Sequence, residues 1–181
     1  FTGVAVNHTQ CHQALTTSNH MNEVYQQLIN LFDEREVPYT PHEDHQAIRA
    51  DLRGTIGHYR VLVIVDTDAE LVQVLGFCPL LTPEGSRPAI AEAVIRANYG
   101  LTVGKFEMDL DDGELRFQAS HIISGETVCV EPMDHLIRHT LNMLDTYVPA
   151  FLSVIYGNEV PQEAIKQVES IWNAVQEEDG E

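Results

Sequence analysis

The sequence predicts an α+β fold in which an antiparallel β-sheet is flanked by helices, in the element order α-βββ-α-βββ-α-α. Apolar residues recur at spacings of three and four near both ends and in the middle of the chain, which is typical of amphipathic helices. Short apolar strands lie between them, grouped and joined by tight polar turns. Such turns make hairpins, so the sheet should be antiparallel. With 181 residues and no internal repeat or linker, the chain should build one core.

The first half of the chain is expected to contain one helix and three strands. Residues 1–17 are polar without a clear period, which predicts a disordered tail. A helix should run from about Ser18 to Glu36 and stop ahead of Pro38, because its apolar residues form one stripe. After a polar connector over 39–44, we expect strands over 48–53, 59–65 and 71–77.

The second and third strands are apolar on both faces, so both faces must be covered. In the second strand Leu62 and Ile64 alternate with Val61, Val63 and Val65, and in the third Val72 and Val74 alternate with Leu71, Leu75 and Phe77. We expect the chain's own helices to cover one face and a second subunit or bound segment to cover the other. A core closed within one chain is the alternative. The candidate partner-binding or dimer surface consists of Leu62, Ile64, Val72, Val74 and, from the last helix, Trp172.

A second helix over 86–98 should lead into the β-hairpin with the clearest local signal. Asp112-Gly113, flanked by alternating apolar residues, is a typical two-residue hairpin turn. That turn predicts three facing pairs: Leu110 with Leu115, Met108 with Phe117, and Phe106 with Ala119.

The rest of the chain should form one more strand and two helices. A short strand is expected over 127–130, followed by a long helix that opens at Glu131 and is kinked or divided at Pro149. The single domain is therefore expected over 18–157. Residues 158–181 should add a C-terminal amphipathic helix and an acidic tail.

Charge and cysteine content exclude several classes of function. The net charge of -18, with 10 Lys and Arg against 28 acids and no basic run, argues against nucleic acid and anionic membranes as partners. Three scattered cysteines do not form a disulfide framework and fit a reducing compartment, so we expect a cytoplasmic protein. The longest apolar runs are far shorter than the roughly 20 residues of a membrane span.

The sequence offers no catalytic motif. Ser120 and His121 are adjacent on a strand, so their side chains should point to opposite faces and not form a dyad. Cys129 lies in an apolar strand without a neighbouring base. We therefore expect no enzymatic activity, no catalytic residues and no cofactor.

Two groups of residues have spacings that metal ligands can have. His135 and His139 lie one turn apart on the long helix, with Glu131 one turn before them, which leaves a metal- or small-molecule-responsive sensor as the alternative function. His8, Cys11 and His12 are similarly spaced in the expected tail. A solvated helix flank explains the first group better than a metal site does, and chance binding is the better explanation of the second. The acids from Glu107 to Glu114 do not match an EF-hand loop and should face solvent.

The element order and one segment resemble the YbjN-type domain, whose members are described as bacterial sensory-transduction regulators. The likeness covers roughly Met21 to Ile155 and depends most on Asn98-Tyr99, Gly104, Phe106, Asp109 and Gly113. It implies a fold similar to the dimeric type III secretion chaperones and a non-enzymatic protein that binds other proteins as a homodimer. It brings no catalytic residues. The sequence thus predicts a chaperone-like or regulatory module that holds a partner or client segment on an apolar sheet surface.

Overall fold

The structure, a computed structural model, describes residues 8–123 and 130–178, with side chains over 21–123 and 130–170. Its helices are α1 (His8–Glu34), α2 (Arg87–Asn98), α3 (Glu131–Tyr156) and α4 (Pro161–Glu178). Its strands are β1 (Tyr39–His42), β2 (Ala47–Arg53), β3 (His58–Asp66), β4 (Leu71–Leu81), β5 (Lys105–Met108) and β6 (Glu114–Ile122). The described strands form one antiparallel sheet in the order β1-β2-β3-β4-β6-β5. This confirms the predicted fold class.

Several element boundaries differ from those expected. Helix α1 begins at His8 rather than near Ser18, since no glycine or proline interrupts its sequence. The polar connector contains strand β1, which pairs with Ala47–Ala50, and its Pro41 is tolerated because β1 is an edge strand. Helix α3 continues through Pro149 without division. The strand expected over 127–130 involves residues 124–129, which lie outside the described residues.

Strand register sorts the side chains of the sheet onto two faces. Leu62 pairs with Leu75 and Val63 pairs with Val74, so the valines of β3 and β4 share one face. The side chains on that face are buried almost completely. The opposite face carries Leu62, Ile64, Leu71, Leu75 and Phe77.

Helix α3 packs directly against the valine face. Gly76 lies on this face, in register with Val61 and Phe117, and a Cβ added there would lie 2.6 Å from Thr140 Cγ2. Phe106, paired with Phe117, also places its ring 5.3 Å from Tyr147 and 5.2 Å from Phe151 of α3. We call this the helix-covered face.

The other helices join the same layer. From α1, the buried residues Met21, Val24, Leu28 and Phe32 enter the same core cluster as the valines. The end of α1 is tied to the start of α3 by an ion pair between Arg35 and Asp134. Helix α4 packs on α2 and α3, with Ala164 and Ile165 buried. In the part of the chain with described side chains, the fold therefore has two layers, helices on one side of the sheet and an open face on the other.

The β5–β6 hairpin has the expected faces but a different register. Phe106 pairs with Phe117 and Met108 with Leu115, instead of Ala119 and Phe117. The turn is longer than two residues, because the amide of Gly113 donates to the carbonyl of Asp109 at 2.9 Å. Since this shift is an even number of residues, the apolar side chains stay on the predicted face. Leu110, expected opposite Leu115, lies in the turn and is 62% exposed.

Gly113 meets two backbone demands that only glycine satisfies. Its φ is +84°, and a Cβ at this position would lie 2.2 Å from the carbonyl oxygen of Thr82. The Gly113 carbonyl accepts a hydrogen bond from the Thr82 amide at 2.8 Å. The hairpin turn is thereby fixed against the end of β4.

The β2–β3 turn is held by one carboxylate of α3. Asp145 accepts hydrogen bonds from the backbone amides of Thr55 at 2.6 Å and Ile56 at 3.2 Å, and from the hydroxyl of Tyr59 at 2.9 Å. Burial and this hydrogen bond raise the pKa of Tyr59 above its ordinary value. The contact joins the turn to the helix layer.

Candidate functional site

The open face of the sheet carries an apolar strip, formed by Leu62, Ile64, Leu71, Leu75, Phe77 and Ile122. Leu62, Ile64, Leu71 and Phe77 are half-buried, and Ile122 is 70% exposed. Leu75, between Leu62 on β3 and Gln118 on β6, is only 6% exposed. Monomeric proteins seldom leave a contiguous apolar surface uncovered without a use for it.

One end of the strip is bordered by a charged cluster on β3, β5 and β6. Arg60 lies over the Phe77 ring at 4.0 Å and pairs with Glu114 at 3.2 Å. Arg116 and Lys105 pair with Glu107 at 3.0 and 2.8 Å. These contacts hold the guanidinium of Arg60 against the apolar strip, where it forms a cation–π contact.

The Glu107 carboxylate is the centre of that cluster. Burial alone would raise its pKa, but hydrogen bonds from Lys105 and Arg116 outweigh burial and lower the pKa below its ordinary value. With its amide oriented to donate to Glu107, Gln118 also accepts a hydrogen bond from Gln73 at 2.7 Å. A polar chain therefore crosses from β5 to β4 beside the strip.

The open face differs in charge from the protein as a whole. By strand register it carries five of the chain's 10 Lys and Arg residues, namely Arg49, Arg53, Arg60, Lys105 and Arg116. The same register places four carboxylates there, Asp51, Asp66, Glu107 and Glu114. In a chain of net charge -18, this face is thus close to neutral.

The structure places the predicted surface residues on two different faces. Leu62 and Ile64 lie in the apolar strip. Val72 and Val74 are 0% exposed and lie in the core, so their assignment to the same surface is corrected. The turn that pairs Asp66 with Leu71 decides this, because it sets Leu62 opposite Leu75. The side chain of Trp172 lies outside the described residues.

Leu75 and Phe77 were not predicted as members of the surface. Leu71 and Ile122 were not predicted as members either. They pair with each other where β4 meets β6, at the end of the strip away from Arg60. Their alternation was visible in the sequence, but their position depends on a pairing between strands that are not consecutive.

The histidine pair of α3 has separate environments. The His139 ring lies edge-on to Phe117 at 5.7 Å, and its Nε2 is 3.1 Å from the carbonyl oxygen of Val103. His135 is exposed. Within the described residues, no three His, Cys, Asp or Glu side chains are arranged to hold a metal ion. The side chains of His8, Cys11 and His12 lie outside the described part.

Among the described residues, none of the candidate nucleophiles is activated. Ser120 and His121 are exposed on opposite faces of β6. Burial raises the pKa of the Cys78 thiol to about 12, so that thiol stays protonated at neutral pH. Cys129 is not among the described residues. In the described part of the chain, no helix is long and apolar enough to cross a membrane.

Comparison with known proteins identifies the family. The model of the YbjN family, described as "Putative bacterial sensory transduction regulator", matches residues 25–153, more than half of the chain. The crystal structure of YbjN from E. coli, described as a "putative transcription regulator", covers 66% of this chain and 84% of its own, with 15% identity and a TM-score of 0.46. Comparison with curated proteins gives no match. The chain belongs to the YbjN family.

Proposed function

We propose that this protein is a non-enzymatic binding module that holds a partner protein segment on the open sheet face. The apolar strip carries the proposal, because all helices with described side chains pack on the other side of the sheet. The occupant is a segment with apolar anchor residues flanked by acidic residues. The family description as a sensory transduction regulator is consistent with action through binding.

Apolar contact supplies the affinity in this proposal. Leu62 and Ile64 are neighbours along β3, and Leu75 lies beside Leu62, so they form a continuous surface. A partner side chain seated at the centre of such a surface is typically worth about 2 kcal/mol or more.

Cations beside the strip determine which residues are preferred on either side of the partner segment's apolar anchors. Arg49 pairs in register with Leu62 and has no ion pair with any residue that the structure describes. A carboxylate next to an apolar anchor would neutralise it. Since the rest of the protein is strongly acidic, an acidic segment is repelled elsewhere and is directed to this face.

Fluorescence anisotropy with synthetic peptides tests the proposal. One labelled peptide has an alternating Leu and Ser core with Glu flanks, and its counterpart carries Lys flanks. We expect the Glu peptide to bind at least about tenfold more tightly. Leu62→Asp should abolish binding, whereas Ile95→Asp, on the outer side of α2 at 71% exposure, should leave it unchanged. Equal binding of both peptides, or equal effects of both variants, would overturn the proposal.

A second copy of the chain is the other possible occupant, and the implied homodimer is tested with the same variant. Sedimentation equilibrium measures the mass of the wild type and of Leu62→Asp. A wild-type dimer that becomes a monomer in Leu62→Asp, without peptide binding, would assign the strip to self-association and refute the proposed role. A wild-type mass independent of Leu62, together with peptide binding, supports it.

A further inference from the structure

A cavity of about 380 Å³ lies in the helix layer, between the end of α1, the end of β2 and the start of α3. We call it the α1–α3 pocket. The residues that line it include Phe32, Leu52 and Ile137 and the charged residues Arg35, Asp134 and Arg138. Its size lies at the lower end of the range of small-molecule sites, ~300–1,000 Å³.

The floor of the pocket is apolar. Phe32, Leu52 and Ile137 are buried on three different elements, and Leu31 and Leu141 are half-buried beside them. Strand β1 pairs with β2 only as far as Ala50. The last residues of β2 therefore have no β1 partner and border the pocket. These three buried side chains belong to three elements that the core already fixes, so the cavity is preformed.

Two arginines stand at the mouth of the pocket around a buried carboxylate. Asp134 Oδ1 lies 2.6 Å from Arg35 Nη1, and Asp134 Oδ2 lies 2.5 Å from Arg138 Nη2. The Asp134 side chain is 8% exposed, whereas those of Arg35 and Arg138 are 46% and 55% exposed. One buried negative charge is therefore shared by two positive charges that reach solvent.

Each guanidinium retains donors after this contact. A guanidinium has five N–H groups, and within the described residues Asp134 is the only ion-pair partner of Arg35 and of Arg138. Arg53 also borders this pocket, but strand register places its side chain on the open face, so Arg35 and Arg138 are the two cations of the site. Glu36 is exposed at the rim, the side chain of Asp51 belongs to the open face by register, and Asp134 is already paired.

We propose that the α1–α3 pocket binds a small amphipathic carboxylate. Its apolar body packs on Phe32, Leu52 and Ile137, and its carboxylate accepts hydrogen bonds from Arg35 and Arg138. The arginines are planar donors suited to a carboxylate. A cationic head group would meet the two guanidinium groups first, because they cover Asp134. This site is separate from the open face and does not depend on the proposed function.

Isothermal titration calorimetry with decanoate, below its micelle concentration, tests the proposal. Decan-1-ol and decyltrimethylammonium are controls that have the same alkyl chain as decanoate but a different head group. We expect decanoate to bind at least about tenfold more tightly than either control. Arg138→Gln should weaken decanoate binding by a similar factor, whereas Arg96→Gln, a surface arginine paired with Glu92 on α2, should not.

A second variant separates loss of the site from loss of the fold. Leu141→Trp fills the pocket without removing a charge, and circular dichroism monitors the fold of each variant. Decanoate binding should be lost in Leu141→Trp and retained in Leu62→Asp. Binding that survives in Leu141→Trp, that is lost in Leu62→Asp, or that is equally strong with the ammonium analogue would overturn the proposal, as would absence of decanoate binding.

Discussion

Gly76→Ala tests which face of the sheet the helices cover. Gly76 is in the middle of β4, in register with Val61 and Phe117. A Cβ there would lie 2.6 Å from Thr140 Cγ2 and 2.7 Å from Leu144 Cδ1, both side chains being 0% exposed. If α3 packed on the other face, this methyl group would not meet Thr140 or Leu144.

The size of the effect follows from these distances. Thr140 must move by roughly 0.8 Å to restore an ordinary contact of 3.4 Å, and its surroundings are closely packed. Overpacking of this kind costs about 1–3 kcal/mol. Replacing a strand glycine by alanine returns about 0.5–1 kcal/mol through reduced backbone entropy. We therefore expect a net loss of about 1 kcal/mol in the free energy of unfolding.

Urea unfolding followed by circular dichroism measures this loss, with Gly85→Ala as the matched control. A Cβ at Gly85 has no atom within 4 Å, so this variant should stay within about 0.5 kcal/mol of the wild type. Thr140→Ser removes the nearer methyl group, so the double variant should recover about 1 kcal/mol relative to the sum of the single changes. If Gly76→Ala and Gly85→Ala were equally harmless, the assignment of the helix-covered face would be refuted.

Three further changes follow from the same structure. Val63→Asp should unfold the protein, at a cost above about 4 kcal/mol, whereas Leu62→Asp on the open face should cost about 1 kcal/mol or less in urea unfolding; equal costs would contradict the open face. Asp145→Ala should cost about 2–3 kcal/mol, because it leaves two turn amides and the Tyr59 hydroxyl without their acceptor. Since the pKa of Glu107 is lowered in the fold, its stabilising effect is present above the ordinary glutamate value and disappears as the pH falls through the folded-state value. Glu107→Gln should therefore destabilise at pH 7 but not at strongly acidic pH, and a pH-independent difference in urea midpoint would refute this origin.

Tyr59 has the opposite dependence on pH. Its pKa is raised in the fold, so the neutral hydroxyl stabilises the protein fully below the ordinary tyrosine value of about 10. That contribution is lost as the pH rises through the folded-state value. Tyr59→Phe should therefore reduce the loss of stability between pH 9 and pH 11, measured by urea unfolding. An unchanged alkaline slope would show that another group is responsible.

Alternation in the sequence correctly predicted which residues of each strand share a face, but not how the strands combine. The two faces of β3 and β4 are both apolar, so sequence alone gives no preference for pairing Leu62 with Leu75 or with Val74. The turn from Asp66 to Leu71 makes the choice. Asp66 Oδ1 accepts hydrogen bonds from the amides of Asp68 and Ala69, which shapes the turn between β3 and β4.

The same limit explains the hairpin and the pocket. At β5–β6, Asp109 Oδ1 accepts a hydrogen bond from the amide of Asp111 and starts the turn earlier than Asp112-Gly113 alone predicts. The α1–α3 pocket combines residues from three elements far apart in the chain, such as Arg35 and Arg138, and no local pattern joins them. Short-range chemistry is visible in the sequence, but contacts set by turn length and helix packing are not.

The edges of the sheet favour recognition through its face. Strand β1 is a four-residue edge strand, and Pro41 within it lacks a backbone donor. The other edge, β5, also has four residues and begins with Lys105, which is typical of an edge that resists pairing with another strand. A partner that adds a strand would gain few hydrogen bonds at either edge. A partner seated across β3, β4 and β6 would bury the apolar strip instead, which is why binding at the face is the stronger hypothesis.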